Sequence, residues 1–86
     1  MKNNDFGYVL RDLRETGNIS LRGLAKETGF DSAYLSRVER MLSPSPRIEN
    51  INKIAEALCS LQDLNPEDCQ KLKRTLLDSA RKLTNP

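Results

Sequence analysis

The chain has 86 residues, a length that suits one domain with one small core. No uninterrupted apolar run exceeds three residues, which excludes a transmembrane helix and a signal-peptide core, and mixed charges at 30% of the chain do not describe a disordered polar tract. Fourteen basic and twelve acidic side chains give a net charge of +2, spread evenly along the chain, so an anionic partner must be met by a local patch.

There is no histidine, which removes the commonest general base and metal ligand. No paired-carboxylate, metal or nucleophile motif emerges, so an enzyme is not expected, nor is a cofactor. Cys59 and Cys69 are too few for a disulfide scaffold and wrongly spaced for zinc. They read as small apolar residues in a reducing cytoplasm, with a disulfide between them as the alternative.

Helical spacing recurs along the chain and strand-like alternation does not. Phe6, Val9, Leu10 and Leu13 predict a first helix from Asn4 to Thr16, ended by Gly17-Asn18 in the left-handed region. Ser20 is the N-cap of a short second helix that ends at Gly29, with Leu21, Leu24 and Ala25 as its apolar face. Ile19 and Leu24 have the spacing of a hydrophobic staple.

Asp31 caps a third helix, with Leu35 and Val38 inward. Helix, tight glycine turn and helix is the spacing of a helix-turn-helix. Ser43-Pro44-Ser45-Pro46 forbids continuation and predicts an extended loop. Ile48, Ile51, Ile54, Ala55 and Leu58 then form the stripe of a fourth helix. Asn65 and Pro66 start a fifth, running to Leu83. Its seam of Cys69, Leu72, Leu76, Ala80 and Leu83 has coiled-coil-like spacing. The fold class is all-α with five helices: residues 1–64 form a four-helix core, and 65–86 a C-terminal helix of the same domain.

The segment Ile19–Glu39, ISLRGLAKETGFDSAYLSRVE, together with Leu10-Arg11, Leu13-Arg14, Pro46 and Ile54-Ala55-Glu56-Ala57-Leu58, resembles the lambda-repressor-like, or xenobiotic-response-element (Cro-type), helix-turn-helix proteins. The resemblance covers about residues 6–58, and its specificity lies in the ordered set at these spacings. It implies a sequence-specific double-stranded DNA-binding protein, a bacterial, phage or plasmid repressor or controller. Such a protein acts in the cytoplasm as a homodimer on a near-palindromic operator, without a small-molecule ligand.

In this architecture the third helix enters the major groove. The resemblance then makes Ser32, Ala33, Ser36, Arg37 and Arg40 the base-facing set. Arg37 is the strongest reader, because a bidentate guanidinium on guanine is the commonest specific contact. The plainer alternative is an ordinary solvated helix face. Ser20, Leu21 and Arg22 at the second helix, Tyr34, and Ser43, Ser45, Arg47 and Asn50 on the other flank are the phosphate candidates. Tyr34 has core packing as its alternative, and Ser43 and Ser45 plain loop and cap chemistry.

Arg14 and Glu39 look like the family's internal ion pair, a structural feature. Leu72, Leu76, Leu77, Ala80 and Leu83 are the expected dimer interface; the alternative is that the seam of the last helix closes over the domain's own core. Three positions depart from the family pattern: Leu21 stands where Gln is frequent, Gly23 lies inside a helix, and Met41 occupies a position that is commonly Gly. An antitoxin that also binds a toxin, a regulator that touches RNA polymerase, and a protein-interaction module with an idle DNA face are the rival readings.

Overall fold

The computed structural model describes residues 5–81, which form five helices and no strand. These are α1 (Phe6–Thr16), α2 (Leu21–Thr28), α3 (Ser32–Glu39), α4 (Ile48–Leu61) and α5 (Pro66–Arg81). The main helix contacts close a circuit: α1 packs on α3 and α5, α5 on α4, α4 on α2, and α2 on α3. Phe6, Leu10, Leu24, Leu35, Val38, Ile51, Ile54, Leu58 and Leu76 lie inside it, each at most 1% exposed.

Local signals set most of the boundaries. Asn65 caps α5 by accepting from the Asp68 N–H at 2.8 Å. Gly17 ends α1 with φ −87°, and the left-handed residue is Asn18 at φ 58°. Asn tolerates that region better than other residues with a Cβ. Asn4, expected at the start of α1, and Leu83, expected at the end of α5 and in the dimer interface, lie outside the described residues.

Three expectations are corrected. Ile48, the first residue of α4, is not part of its buried stripe; it is 62% exposed, at the rim of an open groove between α4 and α5. Cys59 and Cys69 are not free apolar residues but a disulfide, with Cα atoms 5.5 Å apart across the α4–α5 hairpin. Ten residues of separation let the chain turn and bring the start of α5 back alongside the end of α4, a proximity that linear spacing does not reveal.

The third correction concerns α5. Leu72 and Leu76 are 8% and 0% exposed and serve the chain's own core, so they are not surface for a second copy. Leu77 and Ala80 are half-buried. They line an open groove of about 450 Å³ with Pro46, Ile48 and Ile51.

Candidate nucleic-acid interface

The two helices of the motif are set by side chains that satisfy free backbone groups. Ser20 Oγ accepts from the Gly23 N–H at 2.9 Å, and Asp31 Oδ1 from the Ala33 N–H at 3.1 Å. A Cβ at Gly23 would come within 3.0 Å of the Ser20 hydroxyl, so the glycine gives the cap room. Between the helices Gly29 stands at φ 81°, and its N–H donates to the Ala25 carbonyl at 2.8 Å. A Cβ there would meet nothing within 4 Å, so backbone conformation alone favours glycine. Thr28 Oγ1 donates to the Leu24 carbonyl and accepts from the Phe30 N–H at 3.2 Å, tying the turn to α2.

Leu35 and Val38 anchor α3 in the core at 0% and 1% exposure. That fixes which side of α3 faces out. Ala33, Arg37 and Arg40 are exposed, and Ser32 and Ser36 are half-buried beside them. Positions 33, 36, 37 and 40 share one side of a helix by the three- and four-residue rule.

Charge pairing separates two groups of arginines. Arg11 pairs with Glu15 at 3.1 Å, and Arg14 with Glu39 at 2.7 Å. Among the described residues, Arg22, Arg37, Arg40 and Arg47, and Arg74 on α5, take part in no ion pair and are all exposed. Arg22 lies in the first turn of α2, Arg37 and Arg40 at the end of α3, and Arg47 at the N-cap of α4. These cations keep their hydrogen-bond donors for an outside anion.

The phosphate candidates fare unequally. Leu21 packs against the core, which leaves its backbone N–H, unpaired by helix geometry, as its means of meeting an anion. Tyr34 is half-buried, edge-on to Phe30 with ring centroids 6.1 Å apart. Lys53 Nζ of α4 lies 5.6 Å from the centre of the same Phe30 ring. This stack links the turn, α3 and α4. Lys53 carries no sequence signal for it, since the pairing needs two separate elements to meet.

Ser45 is corrected. Its Oγ is buried without a hydrogen-bond partner, because the Ser-Pro loop folds it into the groove beside Pro46 and Ile51. It does not present a hydroxyl to solvent. Ser43 and Asn50 are half-buried, and Arg47 is exposed.

Behind α3 the support is tight. Arg14 donates from Nε to Glu39 Oε2 at 2.7 Å and from a second nitrogen to Oε1 at 3.0 Å. Its remaining terminal nitrogen donates to the Ile19 carbonyl at 2.9 Å. One guanidinium thus joins α1, the residue before the Ser20 cap, and the last residue of α3. A sequence reading passes over Gly7, which packs so closely that a Cβ there would lie 2.5 Å from the Val38 carbonyl oxygen. The signal for it is a glycine on the buried side of an amphipathic helix. Met41 follows at φ 61° and receives the Gly7 N–H on its sulfur at 3.3 Å.

No group of three or more His, Cys, Asp or Glu side chains among the described residues is placed to hold a metal ion. No helix described is long and apolar enough to cross a membrane.

A family model described as Helix-turn-helix matches residues 10–58. Two uncharacterized HTH-type transcriptional regulators of Mycobacterium tuberculosis, MT0491 (strain CDC 1551 / Oshkosh) and Rv0474 (strain ATCC 25618 / H37Rv), are each 42% identical over 52 residues. Each match covers 60% of this chain but 36% of the relative's own length. No solved structure matches the chain significantly.

Proposed function

Because the chain belongs to the helix-turn-helix family, we propose that it is a sequence-specific double-stranded DNA-binding regulator of transcription, with α3 as its reading helix. The observation that carries this reading is Arg37, an unpaired and exposed guanidinium on the outward stripe of α3. Arg37 reads guanine in a bidentate manner. Ser32, Ala33, Ser36 and Arg40 complete the base-facing set, Ser and Ala giving weak discrimination. Arg22, Arg47 and the N-terminus of α2 hold phosphates and position the helix. The relatives' description as transcriptional regulators supports the same role here.

An eight-residue reading helix contacts few base pairs, so affinity and specificity rise when two copies bind together. The protein acts as a homodimer on a near-palindromic operator, with half-sites one helical turn apart, about 34–36 Å. Leu77, Ala80 and the exposed Ile48 offer the apolar surface for that association. Repression follows from occupying a promoter. Its place of action is the cytoplasm.

Selection from a random duplex library at about 150 mM salt, with bound fragments sequenced, tests this reading. Enrichment of a two-fold-symmetric motif is the expected result. Binding without enrichment overturns sequence-specific recognition, and absence of any binding overturns the DNA-binding role.

A further inference from the structure

The Cys59–Cys69 disulfide has no part in DNA reading, and its surroundings differ sharply at its two ends. Cys59 lies in α4 and is 6% exposed. Cys69 lies in the first turns of α5 and is half-buried. The residues around Cys69, namely Asn65, Pro66, Glu67, Asp68 and Gln70, are all exposed. Cys69 is therefore the more exposed residue of the two.

Contacts other than the bond also hold α5. Leu72 and Leu76 hold α5 to the core by burial, and the core spans all five helices. The bond instead pins one joint of the helix circuit, the α4–α5 hairpin, whose other joint for α5 is its packing on α1. α1 in turn supports α3 through Gly7 and the Arg14–Glu39 pair.

We propose that Cys59–Cys69 is a reversible thiol–disulfide modification site, opened by dithiols at Cys69, whose state sets how firmly α5 is held against α4 and α1. One thiolate of the dithiol attacks Cys69 Sγ. The S–S bond breaks, and its electron pair passes to Cys59 Sγ, which takes up a proton. The dithiol's second thiolate then displaces Cys69 as a thiol, and the reagent leaves as its cyclic disulfide. A disulfide oxidant such as oxidised glutathione reverses the sequence through a mixed disulfide. Weaker α5 docking lowers duplex affinity, a consequence that rests on the DNA-binding reading above.

The test uses the full chain, oxidised and then treated with dithiothreitol without denaturant. Thiols are counted, and amide hydrogen exchange and thermal melting are followed. Two thiols are expected to appear in the folded protein. The melting temperature should fall by about 10 °C or more, and α5 amides should exchange faster. Oxidised glutathione should restore the original values. The Cys59→Ala/Cys69→Ala variant should match the reduced form under both conditions.

Thiols that appear only in denaturant, or α5 exchange that is the same in both states, overturn the proposal. So does failure of the folded chain to form the bond under oxidant. Duplex binding is measured in parallel. Loss of binding in both states counts against the DNA-binding reading alone, since thiol count and exchange are read without DNA.

Discussion

Arg14 and Glu39 stand 25 residues apart and meet as a two-pronged ion pair, with side chains 12% and 5% exposed. The pair makes the end of α3 part of α1's framework. Removing one partner strands a buried charge, so Glu39→Ala should destabilise the chain by about 3–5 kcal/mol. Replacing both by Arg14→Met and Glu39→Leu should cost much less, because no unpaired charge remains. Urea unfolding of the two variants against the parent checks this, and equal costs for single and double variants count against it.

The Arg14 guanidinium is raised above the ordinary arginine pKa, chiefly by its hydrogen bond to Glu39, with burial opposing. A raised folded-state value means that its stabilising contribution is complete below the unfolded value and is lost only as pH rises through the folded one. Stability between about pH 6 and 9 should therefore show no step from Arg14 titration. Melting curves of the parent and Arg14→Lys across that range should run parallel.

Gly7 has no room for a methyl group, because a Cβ there would lie 2.5 and 2.6 Å from the backbone carbonyl oxygens of Val38 and Glu39. Backbone cannot rotate aside as a side chain can. Gly7→Ala should destabilise by about 2 kcal/mol or more, despite alanine's better helix propensity. Denaturant unfolding measures it, and a stabilised variant would mean that α1 and α3 are further apart than described.

Met41 holds a positive φ of 61° while its sulfur receives the Gly7 N–H. Left-handed backbone costs a residue with a Cβ about 1–2 kcal/mol. Met41→Gly recovers that cost and loses the thioether contact, so its stability should lie within about 1 kcal/mol of the parent. Met41→Val keeps neither advantage and should fall below both. Thermal melting ranks the three.

Arg37 and Arg47 should differ in how they fail. Arg37→Ala is expected to lose about 1–3 kcal/mol and to relax preference at one base pair per half-site. Arg47→Ala should weaken binding on all duplexes and reduce the salt slope by about one. Titrations on the selected motif and on single-base variants, at several salt concentrations, separate the two. Uniform weakening by Arg37→Ala would move it among the phosphate contacts.

The five helices and the outward stripe of α3 are legible in the order of the residues alone. Their signals act over three or four residues: the caps at Ser20, Asp31 and Asn65, the left-handed turn at Gly29, and the spacing of Leu35 and Val38. Such signals are complete within one segment and need no partner from elsewhere. Whatever depends on distant segments meeting was settled by packing in three dimensions. Packing paired Cys59 with Cys69, buried the Ser45 hydroxyl, left Ile48 outside the core, and took Leu72 and Leu76 into it. It also pressed Gly7 onto the end of α3, where two backbones approach more closely than any side chain permits. Periodicity shows that a face is apolar; only packing chooses what covers it.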